Sequence, residues 1–523
     1  MTINHLDASQ FTQDQLFDTD IVIIGSGAGG GIAAEQLAQA GFKILLLEEG
    51  AWYTRDDFVM QERWAYPHLY QEGAARKTRD QAIGILQGRT VGGSTTVNWT
   101  TSIRTPKATL DFWNSKFGVN FSGKDDLSDY FAAAEQRLNI HQWPVPPNAN
   151  NAKLQQGCEK LGWQYTLINR NVNGCANLGY CGMGCPINAK QSMLVSTIPA
   201  AMALGATLIS RISVRQLHWQ SDSITGLEAV PVDQYFQPRH DLRIRIKAKH
   251  YIVAAGAIGS PALLLRSKVP DPSGRLGKHT YLHPTVISGA LFDDAINGHS
   301  GAPQSIYSDQ FVWPADNNKA GYKLEVPPLH PVLMATKLTG TGAQHAALMQ
   351  QFNHLQVTIA LLRDGFHPHS QGGTVQLDDA QQPVLDYPIT DYLWQGMREA
   401  LLSMAGLQFA AGARQVLPVH HDAQLYNNWP EAKAAILQLP MQALKQTVVS
   451  AHVMGGCNMS ASAANGVVDQ NGRHHQLQNL SVFDGSILPT SLGANPQLTI
   501  YALVWRNCQQ LISSLRNQVN TLA

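Results

Sequence analysis

Residues 20–50 read DIVIIGSGAGGGIAAEQLAQAGFKILLLEEG, and this stretch limits the fold more than any other. Residues 21–24 form a continuous apolar, β-branched run, as expected of a strand buried on both faces. The run meets Gly25-x-Gly27-x-x-Gly30. Helical periodicity then extends over residues 32–40 and stops at Gly41. A second apolar run, residues 44–47, closes at Glu48. Strand, glycine turn, helix, strand and acid, in that order, predict an α/β domain of Rossmann type. Gly25 permits the tight turn, Gly27 lets main chain approach a pyrophosphate, and Gly30 lets the helix pack close to the strand. The helix N-terminus presents free N–H groups and a positive dipole end to the phosphates. A carboxylate at Glu48 can accept both ribose hydroxyls of an adenosine, which argues against a 2′-phosphate and hence against NADP. The unit alone does not separate NAD from FAD.

The 523 residues suggest two to four domains at roughly 100–200 residues each. With 44% hydrophobic and 15% charged residues the composition is globular, which excludes a disordered chain. Lys+Arg and Asp+Glu both number 38, and no basic tract occurs, so a nucleic-acid partner is not expected. No apolar stretch approaches the ~20 residues of a membrane helix, and the polar N-terminus lacks a basic start and apolar run. The expectation is a cytoplasmic protein with no transmembrane segment, with peripheral membrane contact left open.

Four later segments separate the two dinucleotides: GRTVGGSTTVNW (88–99), GAIGSPALLLRS (256–267), SAHVMGGCNM (450–459) and FDGSILPTSLGANPQLTIYALVWR (483–506). With the N-terminal unit they resemble the glucose–methanol–choline (GMC) family of flavoenzymes, from about residue 18 to the C-terminus and more loosely over 286–445. The resemblance implies a Rossmann-type FAD-binding domain and a discontinuous α+β substrate domain built on an antiparallel sheet. The expected division is 15–110, 190–285 and 447–523 for FAD, with 111–189 and 286–446 for substrate. It also implies that Arg89, Gly92, Gly93, Ser94 and Asn98 lie in the loop beside the flavin ring, and that Asp484 and Gly485 lie near its pyrophosphate and ribityl chain. Val214 completes the expected cofactor set. Glycines and small hydroxyl residues at 92–96 suit main chain lying flat against a planar ring. Covalently flavinylated members carry a histidine just before the asparagine of this loop. Val97 stands there instead, so non-covalent FAD is expected.

Alcohol oxidation removes a proton from oxygen and a hydride from carbon. Histidine, with an ordinary pKa of ~6.5, suits the proton. A second group must hold the oxygen so that the C–H points at the hydride acceptor. His452 in AHVMGGC matches the family's base, and Asn495 in GANPQLTI matches its partner. Asn rather than a second His leans toward the sterol-oxidase and long-chain alcohol branches and an apolar primary or secondary alcohol. Oxygen, a quinone or a redox protein would then take the electrons. His283 in YLHPTV is read as structural, and His474 and His475 as solvated loop residues.

Three of the six cysteines fall within NGCANLGYCGMGCPINAKQS, at Cys175, Cys181 and Cys185. Closely spaced thiolates in a Gly-rich loop ending in Pro can hold a cluster. The spacing resembles the catalytic subunits of bacterial FAD glucose dehydrogenases, in which three cysteines hold a [3Fe-4S] cluster. Plain thiols serving close packing are the favoured reading over the cluster, with a disulfide or zinc site behind both. Three functions stay open beside alcohol oxidation: a GMC-fold lyase, a flavin photodecarboxylase, and a sugar dehydrogenase with an iron–sulfur relay. In the second half, LQVTIALLRD and GGTVQLDDAQQPVLDYPIT alternate like antiparallel strands. ITDYLWQGMREALLSMAGLQFAAG has the period of a long amphipathic helix.

Overall fold

The computed structural model describes residues 4–121, 126–316 and 318–522. One eight-stranded sheet carries the nucleotide-binding unit. Its order is His5–Asp7, Thr207–Ser210, Ile44–Leu47, Gln15–Ile24, Ile244–Val253, Ser223–Pro231 and Ile212–Gln220, with Leu480–Val482 also pairing to Ile244–Val253. The strands around the glycine turn run parallel, and the last two join antiparallel. The strand Gln15–Ile24 is longer than its apolar run. Its first residues alternate in burial and only residues 21–24 are buried throughout. The helix Ala28–Gln39 likewise starts before residue 32, because Ala-Gly-Gly-Gly carries no hydrophobic period yet packs tightly. The C-terminal helix Gln497–Leu522 lies against it.

A second eight-stranded sheet is mostly antiparallel. Its order is Ile83–Ile85, Val448–Ser450, Thr285–Leu291, Leu355–Leu362, Tyr322–Glu325, Ile306–Phe311 and Thr166–Leu167, with Gln415–Pro418 paired to Thr285–Leu291. The helix Asp391–Ala410 covers it, burying Leu393, Met397, Leu401 and Met404 at helical spacing against Thr285–Leu291 and Leu355–Leu362. Each such side chain contributes roughly 1.5–3 kcal/mol on burial. The alternating segment 373–386 forms the hairpin Gly373–Leu377 and Pro383–Asp386, in a four-stranded sheet with Lys278–Leu282 and Val453–Gly455.

The two antiparallel sheets share their chain crossings, and this places the site. One segment leaves Lys278–Leu282 for Thr285–Leu291; another leaves Val448–Ser450 for Val453–Gly455. They run side by side, with Leu282 opposite Val453 and Thr285 opposite Val449. His283 and His452 occupy these two crossings, where main chain changes sheet and the side chains are freed from alternation.

Candidate active site

The nucleotide end is built from glycines in contact. Gly25 has φ +104°, and a Cβ there would stand 2.3 Å from the Ala254 carbonyl oxygen. A Cβ on Gly30 would meet the Gly25 carbonyl oxygen at 1.8 Å, which is the close packing expected of the third glycine. A Cβ on Gly27 would stand in ordinary contact with the Cα of Gly93, at 3.9 Å. The glycine turn and the 88–98 loop therefore meet glycine against glycine, closer than side chains would allow, and main chain left bare in this way forms a cradle that a flat ligand and a phosphate fit. Gly29 escaped the sequence pattern: its Cβ would stand 1.7 Å from the Phe483 carbonyl oxygen.

Ser26 ties the parts together. Its hydroxyl donates to Glu48 Oε2, and it accepts the Gly92 N–H at 3.0 Å. Glu48 also takes the N–H of Ser26 at 3.1 Å and of Gly50 at 2.8 Å. Burial pushes its carboxyl above the ordinary range against these bonds. Val214 lies on the adjoining strand, partly exposed, two residues beyond Ile212, whose N–H donates to the Glu48 carbonyl at 3.0 Å. The Ser94 hydroxyl accepts the Gly88 N–H at 3.0 Å, and Asn98 donates to Gln497 Oε1 at 2.6 Å. The Arg89 guanidinium lies 3.9 Å over the Phe236 ring, with Nε lacking a hydrogen-bond partner among the described residues.

Asp484 acts as a clamp. One oxygen takes the Gly256 N–H at 2.8 Å and the Ser260 hydroxyl; the other takes the Ser486 N–H at 2.8 Å. It thereby joins the DGS segment to the first turn of the helix Gly256–Arg266. Gly485 follows in close quarters, since a Cβ there would reach Ile500 at 3.2 Å and the Val453 carbonyl at 3.3 Å.

His452 and Asn495 come from segments 43 residues apart, yet His452 Nε2 and Asn495 Nδ2 stand 3.5 Å from each other. His452 keeps a partly exposed face, while desolvation lowers its pKa to about 4. It is therefore neutral at ordinary pH. Its Nδ1 lies 2.9 Å from His283 Nδ1, the rings meeting edge to face. His283 is buried; desolvation first, then His452, Lys323 and Arg363, push its pKa well down. The expectation of a merely structural His283 missed this contact, for which a His-Pro turn gives no local signal. Asn495 Nδ2 also donates to Glu325 Oε2 at 3.3 Å, and Gln304 Nε2 donates to the same oxygen at 2.8 Å. Glu325 is wholly buried at the end of a strand, and nothing in its sequence neighbourhood marks it.

A GMC oxidoreductase N-terminal family model matches residues 66–285, and the C-terminal model of the same family matches residues 368–503. The chain belongs to the GMC oxidoreductase family. These are flavin-dependent oxidoreductases. It is 29% identical over 497 residues to an uncharacterised GMC-type oxidoreductase of Sinorhizobium fredii, covering 95% of each chain. It is 27% identical to a long-chain-alcohol oxidase of Arabidopsis thaliana, over 93% of this chain and 67% of that one. The fold matches formate oxidase of Aspergillus oryzae with a TM-score of 0.71 at 16% identity, over 97% of this chain and 100% of that one.

In this GMC oxidoreductase the cysteine loop packs against the 88–98 loop. Cys175, Cys181 and Cys185 are free thiols lining one cavity with Arg170 and Lys190. Lys190 Nζ donates to the carbonyls of Thr96, Asn98 and Cys181, so one buried ammonium joins the two loops. Desolvation lowers its pKa to about 8 and raises that of Cys181. Among the described residues, no three His, Cys, Asp or Glu side chains converge to hold one metal ion. His474 departs from the solvated position expected of it. Its Nδ1 accepts the N–H groups of Gln476 and Leu477 at 3.2 Å, and this turn folds the ring inward, where burial lowers its pKa to about 4. Among the described residues no helix is long and apolar enough to cross a membrane.

Proposed function

We propose that this GMC oxidoreductase oxidises an apolar primary or secondary alcohol to an aldehyde or ketone, with His452 taking the hydroxyl proton and Asn495 orienting the oxygen. The observation that carries this reading is the 3.5 Å approach of His452 Nε2 and Asn495 Nδ2. One carbinol oxygen set against both would meet a neutral imidazole and an amide donor. Bound FAD, held by Gly25, Gly27, Gly30 and the 88–98 loop, would supply the hydride acceptor. The protein's own part is to fix the hydroxyl, take its proton and exclude water. The long-chain-alcohol oxidase relative and the Asn at 495 support an apolar substrate. In this reading residues 15–110, 190–285 and 447–523 hold the flavin, and 111–189 and 286–446 enclose the substrate.

The test is anaerobic flavin bleaching in the dark across alcohols of graded chain length. Bleaching by longer alcohols is expected, and its absence with every alcohol would favour a lyase or photodecarboxylase. His452→Ala should retain FAD and bleach about 10²–10⁴-fold more slowly. Unchanged bleaching removes the proposed base.

A second reading concerns where the electrons go. Three thiols line one cavity beside the cations Arg170 and Lys190, and although they do not converge on one point as they stand, a [3Fe-4S] cluster on Cys175, Cys181 and Cys185 would draw them together there. It would then pass electrons toward a quinone or redox protein. Plain thiols would leave oxygen as the simplest acceptor. Iron content and electron paramagnetic resonance of the oxidised protein decide between them, and iron-free yellow protein purified without air removes the cluster.

A further inference from the structure

The two imidazoles meet through their Nδ1 atoms, so one proton lies between them. Each neutral ring carries one N–H, and the pair must therefore place its second proton on an outer Nε2. Both outer nitrogens face donors. His283 Nε2 faces the peptide N–H of Gly493 at 3.3 Å, and His452 Nε2 faces Asn495 Nδ2 at 3.5 Å. In one arrangement His283 donates to His452, and His452 points an N–H into the site with no electron pair for a substrate proton. In the other, His452 donates to His283 and keeps Nε2 free. The Gly493 N–H is main chain and cannot turn away, so it favours the first arrangement. Only Asn495 favours the second.

Glu325 decides which way Asn495 faces. When the carboxylate is ionised it accepts from Asn495 Nδ2, leaving that nitrogen's other hydrogen directed toward an unprotonated His452 Nε2, where a carbinol oxygen coming between them would accept from the amide while its O–H turns to the imidazole. When it is protonated, its O–H seeks Asn495 Oδ1, which has no partner among the described residues. The amide then turns over, and its oxygen meets an N–H on His452. We propose that Glu325 is a positioning residue for the oxidation: its ionised carboxylate holds Asn495 with its amide N–H toward His452, so that His452 keeps Nε2 unprotonated for the substrate proton. This rests on the reading of His452 as the base.

Burial raises the Glu325 carboxyl above the ordinary range. Lys323 and the bonds from Asn495 and Gln304 oppose the rise, and Asp309, itself paired with Lys323, adds to it. Arg363 acts on the neighbouring His283. Flavin bleaching should therefore fall as pH drops through the Glu325 pKa and be full above it.

The test follows anaerobic bleaching by one good alcohol across the pH range in which the protein stays folded, in wild type, Glu325→Gln and Glu325→Leu. Gln still accepts from Asn495 but has no proton to lose. E325Q should keep FAD and most of the rate at neutral pH, and lose the acid limb. E325L should bleach about 10–100-fold more slowly with little change in half-saturating alcohol. An acid limb in E325Q identical to wild type overturns the proposal, as does a wild-type rate in folded, flavin-loaded E325L. His452→Ala separates the two readings. If H452A is inactive while the Glu325 variants match wild type, only the role of Glu325 falls; if H452A bleaches normally, the base itself is lost.

Discussion

Asp484→Asn is the sharpest test of how the cofactor end is held together. The carboxylate is buried and accepts from the Gly256 N–H, the Ser260 hydroxyl and the Ser486 N–H. Asparagine keeps the shape but supplies one acceptor oxygen. If that oxygen serves Ser486, the new NH₂ confronts the Gly256 N–H at the start of the helix Gly256–Arg266. A buried donor left unmet costs about 1–3 kcal/mol, and reducing a charged acceptor to a neutral one loses roughly 1 kcal/mol more. The carboxylate's stabilising effect at the helix N-terminus also goes, worth about 0.3–1 kcal/mol. Against this stands relief from burying a charge, visible as the upward push on the Asp484 pKa. A net loss of about 2 kcal/mol is expected, concentrated where the DGS segment meets the glycine turn through the Gly29–Phe483 contact. The assay is a thermal melt read by flavin release and far-ultraviolet dichroism on the same sample. D484N should release FAD several degrees lower than wild type, with flavin release preceding loss of helix. Coincident transitions at the wild-type temperature would refute the clamp.

Two further outcomes follow from neighbouring geometry. Gly93 sits at φ +53°, and a Cβ there would stand 2.8 Å from the Gly27 Cα, so Gly93→Ala should fold but lose FAD on gel filtration; full retention would show that the two loops need not touch. His250 is buried with its pKa lowered to about 3, and His474 to about 4, so both are neutral when folded but bind protons near pH ~6.5 when unfolded. Stability should therefore fall with pH below that value, by up to ~1.4 kcal/mol per unit per histidine, until the folded pKa is reached. Denaturant midpoints between about pH 6.5 and 4.5 test this: His250→Asn should flatten the slope, and a pH-independent wild type would refute it.

Elements with a clean period were legible in advance. The buried strands at 21–24 and 44–47, the hairpin at 373–386 and the helix over 391–410 show period or continuous burial in their own residues. The glycine turn was equally plain, because each glycine answers a local demand. The start of the first helix was not, since Ala-Gly-Gly-Gly has no apolar side to display. His474 was misplaced because polar neighbours suggest a solvated loop, whereas turn hydrogen bonds to its own ring draw it inside.

The chain's own order of residues determined the dinucleotide-binding unit, because a phosphate cradle is made from consecutive main chain, and its motifs singled out His452 and Asn495. Tertiary structure alone decided what those two side chains touch. His283 is 169 residues from His452, and Glu325 is 170 from Asn495. At such separations no period or spacing carries information. Two strand crossings and one strand end had to meet before an unremarkable His-Pro and a glutamate in a buried strand became partners of the proposed base.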